Sequence, residues 1–128
     1  MDPNLRVAAV PTIFATGDTA QAATDDQGHL ALMSCQHANR LGACAGFNAA
    51  ADLLNVPLDP YRQKNYVTCL DFGPSGAVFT RGWDSKVELS GDKAKAMKRE
   101  INTQWIYPPP ANRADAFKKA QWARLVDY

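Results

Sequence analysis

Thr12-Ile13-Phe14-Ala15-Thr16-Gly17-Asp18, followed farther on by Met33-Ser34-Cys35-Gln36-His37-Ala38, decides how this chain is read. The apolar run Ile13-Phe14-Ala15 ends at once in Gly-Asp, which predicts a buried strand delivering a carboxylate to its C-terminal tip. Ligands in open α/β sheets gather at that edge, so Asp18 is well sited to hold one. An ionised Asp only accepts hydrogen bonds, which suits a sugar or polyol hydroxyl better than a phosphate. Gly17 lets the backbone approach a ligand with no Cβ in the way. The same seven residues also fit a strand entering an Asp-led turn that binds nothing.

The next segment adds a spacing. Ser34-Cys35-Gln36-His37-Ala38-Asn39-Arg40-Leu41-Gly42 contains Gln-x-Ala-x-x-x-Gly, and Ala45-Gly46-Phe47-Asn48 follows it. The pair resembles the C-terminal half of FAD-dependent pyridine nucleotide oxidoreductases, and most of all the type II NADH dehydrogenases. In that family an Ala-x-Gly-Asp strand end precedes a helix reading Ala-Gln-x-Ala-x-x-x-Gly. The resemblance continues at Pro60-Tyr61, through Tyr66-Val67-Thr68-Cys69-Leu70-Asp71-Phe72-Gly73, to Gly76-Ala77-Val78, and covers roughly residues 7 to 107. Each motif is weak alone; four in the right order make a specific signal.

The resemblance implies a role for each matching residue. Asp18, with Gly17 before it, would bond a ribityl hydroxyl of FAD. Cys35 and Gln36 would stand at the helix start, whose N–H groups and dipole put partial positive charge beside the flavin ring. Hydride transfer belongs to the flavin, and the protein supplies position and field. No catalytic residue and no metal ligand is assigned. Neither Gly-x-Gly-x-x-Gly turn of such an enzyme is present in this sequence, so the part that would hold the FAD pyrophosphate and the part for NADH are absent from it. The chain therefore reads as a C-terminal piece or shortened descendant of such an enzyme, inactive by itself, whose partner is the missing N-terminal nucleotide-binding domain or a second copy. The division expected is residues 1–57, the end of a Rossmann-like FAD domain, and 58–128, a hairpin-and-helix interface domain. A rival reading is a non-catalytic dimerisation module. Another is a module docked on a membrane surface through the basic helix 93–107, which ends in Trp105 and Tyr107.

Composition sets the frame. The 128 residues are 46% apolar and 21% charged, ordinary for a globular protein. The net charge of +1 recruits no nucleic acid. Residues 1–80 hold four Lys/Arg against seven Asp/Glu, and residues 81–128 hold ten against six, so the C-terminal third is the basic third. The three cysteines, Cys35, Cys44 and Cys69, form no CxxC pair and point to free thiols in a reducing, cytoplasmic setting, with a peripheral hold on the cytoplasmic membrane face as the variant. The start Met1-Asp2-Pro3-Asn4 is not that of a signal peptide, and no 18-residue apolar window exists. His29 and His37 lack metal-ligand spacing; His37 is expected at the surface or as a cap.

The fold class expected is α/β or α+β. After the strand at residues 12–15 comes a polar loop from 19 to 29, turning at Asp25-Asp26-Gln27-Gly28. A long helix over 30–54, smooth with Ala and Gly, ends at Asn55 and Pro57. A hairpin of 66–71 and 76–81 joins across Gly73-Pro74-Ser75-Gly76, and a third strand at 86–89 makes a meander. Ser90 or Asp92 caps a helix over 93–104 with Ala94, Met97, Ile101 and Trp105 on one stripe, stopped by Pro108-Pro109-Pro110. A last helix over 112–125 carries Phe117, Trp122 and Leu125.

Overall fold

A computed structural model describes residues 1–124. Its contacts divide the chain into residues 1–64 with the segment from Pro109 onward, and residues 65–108. Asp59, Tyr61 and Gln63 bond back into the first unit. Both sheets are antiparallel and the helices are separate from them, so the fold is α+β.

In the first unit β1 (Arg6–Val7) pairs with β2 (Val10–Phe14), Arg6 opposite Phe14. β2 is thus half of a two-stranded ribbon and not a buried strand, and Ile13 is 50% exposed. The ribbon is anchored at its base. The Asp2 carboxylate accepts from the N–H groups of Asn4 and Arg6, turning Leu5 (φ 66°) into the core, where it is fully buried. The Arg6 guanidinium lies over the Phe14 ring and also bonds the Asp52 carboxylate. The 19–29 loop closes through an Ala23–Leu30 bridge, with Asp25 accepting from Gln27 N and His29 N at the turn.

Helix α1 runs Cys35–Leu53, five residues shorter at its start than expected. Leu30 to Met33 are apolar enough to continue a helix, but Ala31 N donates to Ala22 O and Leu30 bridges to Ala23. Ser34, extended at φ −158°, is then the N-cap. The end lies as read: Asn55 takes the left-handed conformation (φ 55°) and Val56 N reaches back to Ala51 O at 2.9 Å, closing the last turn. His37, Leu41, Cys44, Ala45, Asn48 and Ala51 form the buried stripe. Leu5, Ala22, Leu41, Cys44, Tyr61 and Trp122 make the core.

The second helix of this unit, α3 in chain order (Arg113–Lys119), is shorter than the expected 112–125. Asn112 caps it by accepting from Asp115 N at 2.8 Å. It ends at Ala120, and a separate turn at Trp122–Arg124 puts Trp122 against Tyr61, ring centroids 6.0 Å apart. Leu125 lies outside the described residues.

The second unit is a meander, β3 (Val67–Asp71), β4 (Ala77–Arg81) and β5 (Lys86–Ser90), covered by α2 (Gly91–Glu100). Ala77, Phe79 and Ala94 form its core, with Val67, Cys69, Leu89 and Met97 around them. Strand side chains alternate faces, so Thr68, Leu70 and Val78 lie on the side away from α2. After Glu100 the backbone widens into a π turn, Ile101–Trp105. A π turn takes more residues per revolution than the 3.6 of an α-helix. Trp105 is therefore rotated off the expected Ala94–Met97–Ile101 stripe; it is 50% exposed and donates to Glu100. Among the described residues no helix is long and apolar enough to cross a membrane.

Candidate functional site

The strand end and the long helix meet. Past Phe14 the chain enters a short helical turn, Gly17–Thr19, with Gly17 at φ 73°, a conformation costly for any residue with a Cβ. This turn packs on α1, and a Cβ built on Gly42 would lie in ordinary van der Waals contact with Thr16 Oγ1, at 3.8 Å. The turn and the approach to the helix, Leu30–Met33, line one cleft of about 360 Å³. Gly17, Asp18 and Thr19 line it together with the apolar Leu30, Leu32 and Met33.

Of the four residues singled out from the sequence, the structure brings Gly17 and Asp18 into this cleft. Cys35 and Gln36 are not in its lining; they begin α1 just past its rim at Met33. Asp18 is exposed. Cys35 is exposed, Cys44 buried and Cys69 partly buried, all three as free thiols. The Ser34 side chain caps no backbone N–H of α1; its Oγ lies 2.9 Å from His37 Nδ1. His37 is fully buried, not a surface residue or a cap. Burial, and the Arg40 cation on the next turn, depress its pKa, so the imidazole is neutral at ordinary pH.

A flavin fits the cleft in part. The volume lies within the range of small-molecule sites, and a carboxylate beside an apolar wall offers a hydroxyl acceptor next to a surface for a flat ring. Asp18 and the helix start would hold the ribityl-and-ring portion. For the pyrophosphate the sequence contains no Gly-x-Gly-x-x-Gly turn. Among the described residues no group of three or more His, Cys, Asp or Glu is gathered to hold a metal ion.

The first unit also holds a buried polar cluster that the motifs did not reveal. Asn48 Nδ2 donates to Asp59 O at 2.8 Å and Asn4 O at 3.0 Å, and its Oδ1 accepts from Asp59 N at 2.8 Å. Trp122 Nε1 donates to the Asp59 carboxylate at 2.8 Å, and Tyr61 OH donates to Gln63 Oε1 at 2.7 Å. Burial, reinforced by the Asp59 carboxylate, pushes the Cys44 thiol up to about 12, so it is no nucleophile. Burial likewise raises Tyr61, which stays a neutral phenol. This cluster is structural. A signal for it existed: His37, Cys44 and Asn48 fall on the core-facing phase of α1 set by Leu41 and Ala45, and polar groups at that phase must find partners.

No family model matches the chain. It is 49% identical over 121 residues to NADH dehydrogenase-like proteins from two strains of Mycobacterium tuberculosis. The match takes in 94% of this chain and 30% of each relative, so the chain spans under a third of the length of the curated relatives it matches.

Proposed function

We propose that this chain is the C-terminal part of a flavin-dependent NADH dehydrogenase, in which Asp18 accepts a hydrogen bond from a ribityl hydroxyl of FAD and the start of α1 faces the flavin ring. The observation that carries the reading is the single cleft shared by Gly17-Asp18 and the approach to α1. The likeness to NADH dehydrogenase-like proteins along nearly the whole chain supports it. Bound FAD supplies the hydride chemistry. Gly17 turns the strand end so that the following carboxylate lines the cleft. The N-terminus of α1, with Cys35 and Gln36 in its first turn, contributes partial positive charge toward negative charge developing on the ring. The pyrophosphate and NADH are left to a preceding nucleotide-binding domain, the principal partner.

A chimera tests this directly: the chain replaces the matching stretch of a Mycobacterium tuberculosis relative. The chimera is expected to purify with flavin and to oxidise NADH. Asp18→Ala in it is expected to lower flavin affinity by one charge-assisted hydrogen bond, about 1.5–3 kcal/mol. Full flavin retention by the Asp18→Ala chimera would count against the assignment.

A second reading has its own observation. The meander shows Leu70 (56% exposed), Phe72 and Val87 on or beside the face away from α2, where a free sheet is normally polar. Such a face supports contact between two copies. Sedimentation equilibrium is expected to show a dimer that Leu70→Lys with Val87→Lys dissociates; a monomer at high concentration in the unaltered chain would end this reading.

A further inference from the structure

Arg40 stands one turn beyond His37 at the edge of the buried stripe of α1. The residue is partly exposed, but its Nη1 is covered completely and meets no hydrogen-bond acceptor among the described residues. None of the ion pairs among those residues includes it. A guanidinium carries five N–H donors and keeps its charge, so a covered donor without an acceptor costs on the order of 1–3 kcal/mol or more. Its neighbours do not offset that cost. Asp59 accepts from Trp122 Nε1 and Tyr61 donates to Gln63, but neither oxygen bonds Arg40 Nη1, and the depressed pKa of buried His37 gives it no negative charge to offer. Burial weakens the hold of Arg40 on its own proton, as expected of a cation lacking a counter-ion.

We propose that Arg40 holds an oxyanion, a phosphate or a carboxylate, supplied by a molecule other than this chain. The planar fork of a guanidinium matches either group with two parallel N–H···O bonds, which a lysine ammonium does not reproduce. The oxyanion takes the fork edge-on once the side chain turns its covered edge toward the exposed part of the residue. This site is distinct from the Asp18 cleft, whose lining does not include Arg40, and it stands whether or not that cleft takes a flavin.

Titration of the full 128-residue chain with inorganic phosphate, and separately with acetate, against sodium chloride of equal ionic strength is the test. Thermal shift and titration calorimetry are the readouts. At least one oxyanion is expected to raise the melting temperature saturably beyond chloride. A response to phosphate alone assigns a phosphate group, and a response to acetate alone a carboxylate. Arg40→Lys, which keeps the charge and loses the fork, is expected to bind roughly tenfold more weakly. Arg40→Met, which keeps the bulk, should abolish the response while folding at least as stably in chloride, because it removes an uncompensated buried charge. No response to either anion overturns the proposal, as do equal responses of the unaltered chain and Arg40→Met. Should Arg40→Met not fold, equal affinity in Arg40→Lys overturns it instead.

Discussion

Asn48 joins three stretches of chain through one side chain: its own helix, the N-terminal turn at Asn4 and the extended segment at Asp59. Asn48→Ala leaves the N–H and C=O of Asp59 without those partners, each worth about 1–3 kcal/mol when buried. The expected loss is about 3–4 kcal/mol, a large share of the stability of a small domain. Urea unfolding measures it, and a loss under about 1 kcal/mol would mean that water replaces the amide without penalty. The role of Asn48 was hard to read from sequence because Asn near the end of an Ala-rich run also suits a solvent-facing position. Only its phase relative to Leu41 and Ala45 separates the two, and Asp59 lies eleven residues beyond it in the chain. The place of Gly17-Asp18 just past a strand end was legible for the opposite reason: strand and Gly-Asp lie within one short stretch, so local sequence carries it.

Among the elements, the meander was the most legible, since turns of the Gly73–Gly76 and Gly82–Ser85 kind are written in local sequence. Its observed strands stay within a residue of those expected. The close approach inside it was not legible. Gly76 has φ 96°, and a Cβ there would stand 3.0 Å from Gly91 Cα, backbone against backbone. Gly91 has φ 63° but open space around its missing Cβ. Gly76→Ala therefore carries both strain and a clash, roughly 2–3 kcal/mol, whereas Gly91→Ala carries the left-handed cost alone, about 1–2 kcal/mol. Thermal unfolding should rank the two variants in that order, and equal melting temperatures would show that β4 and α2 separate easily. The start of α1 and the π turn escaped reading for a shared reason. Periodicity reports which residues are apolar, not where a neighbouring strand or a widened turn takes the backbone hydrogen bonds.

For the whole molecule, the proposed function gives the Asp18 cleft only part of a dinucleotide to hold. One or two good hydrogen bonds contribute roughly 1–3 kcal/mol, less than the 4 kcal/mol or more of freedom lost on association. FAD added to the isolated chain is thus expected to bind at about millimolar concentration or more weakly, with no NADH oxidation. Flavin fluorescence quenching reads this out. Saturation at micromolar chain would show a complete site, and the chain would then be a small flavoprotein in its own right. The exposure of β2 fits the same picture, because a two-stranded ribbon leaves Ile13 without a cover within its own unit. Sequence reasoning took that strand as buried because an apolar tripeptide does not state which other segment lies on it.

The first unit is interrupted: Trp122 returns to Asp59 from 63 residues away, across all of residues 65–108. During synthesis on the ribosome this sets an order. The meander and α2 emerge as one unbroken stretch and can close on themselves at once, since domains fold as units from the N-terminal side as they emerge. The surfaces of Leu41, Cys44 and Tyr61 must wait, already translated, for a tryptophan that has not yet been made. A chain truncated before Trp122 should accordingly be cleaved by protease within residues 1–64 while 65–108 resist, and the full chain should be protected in both.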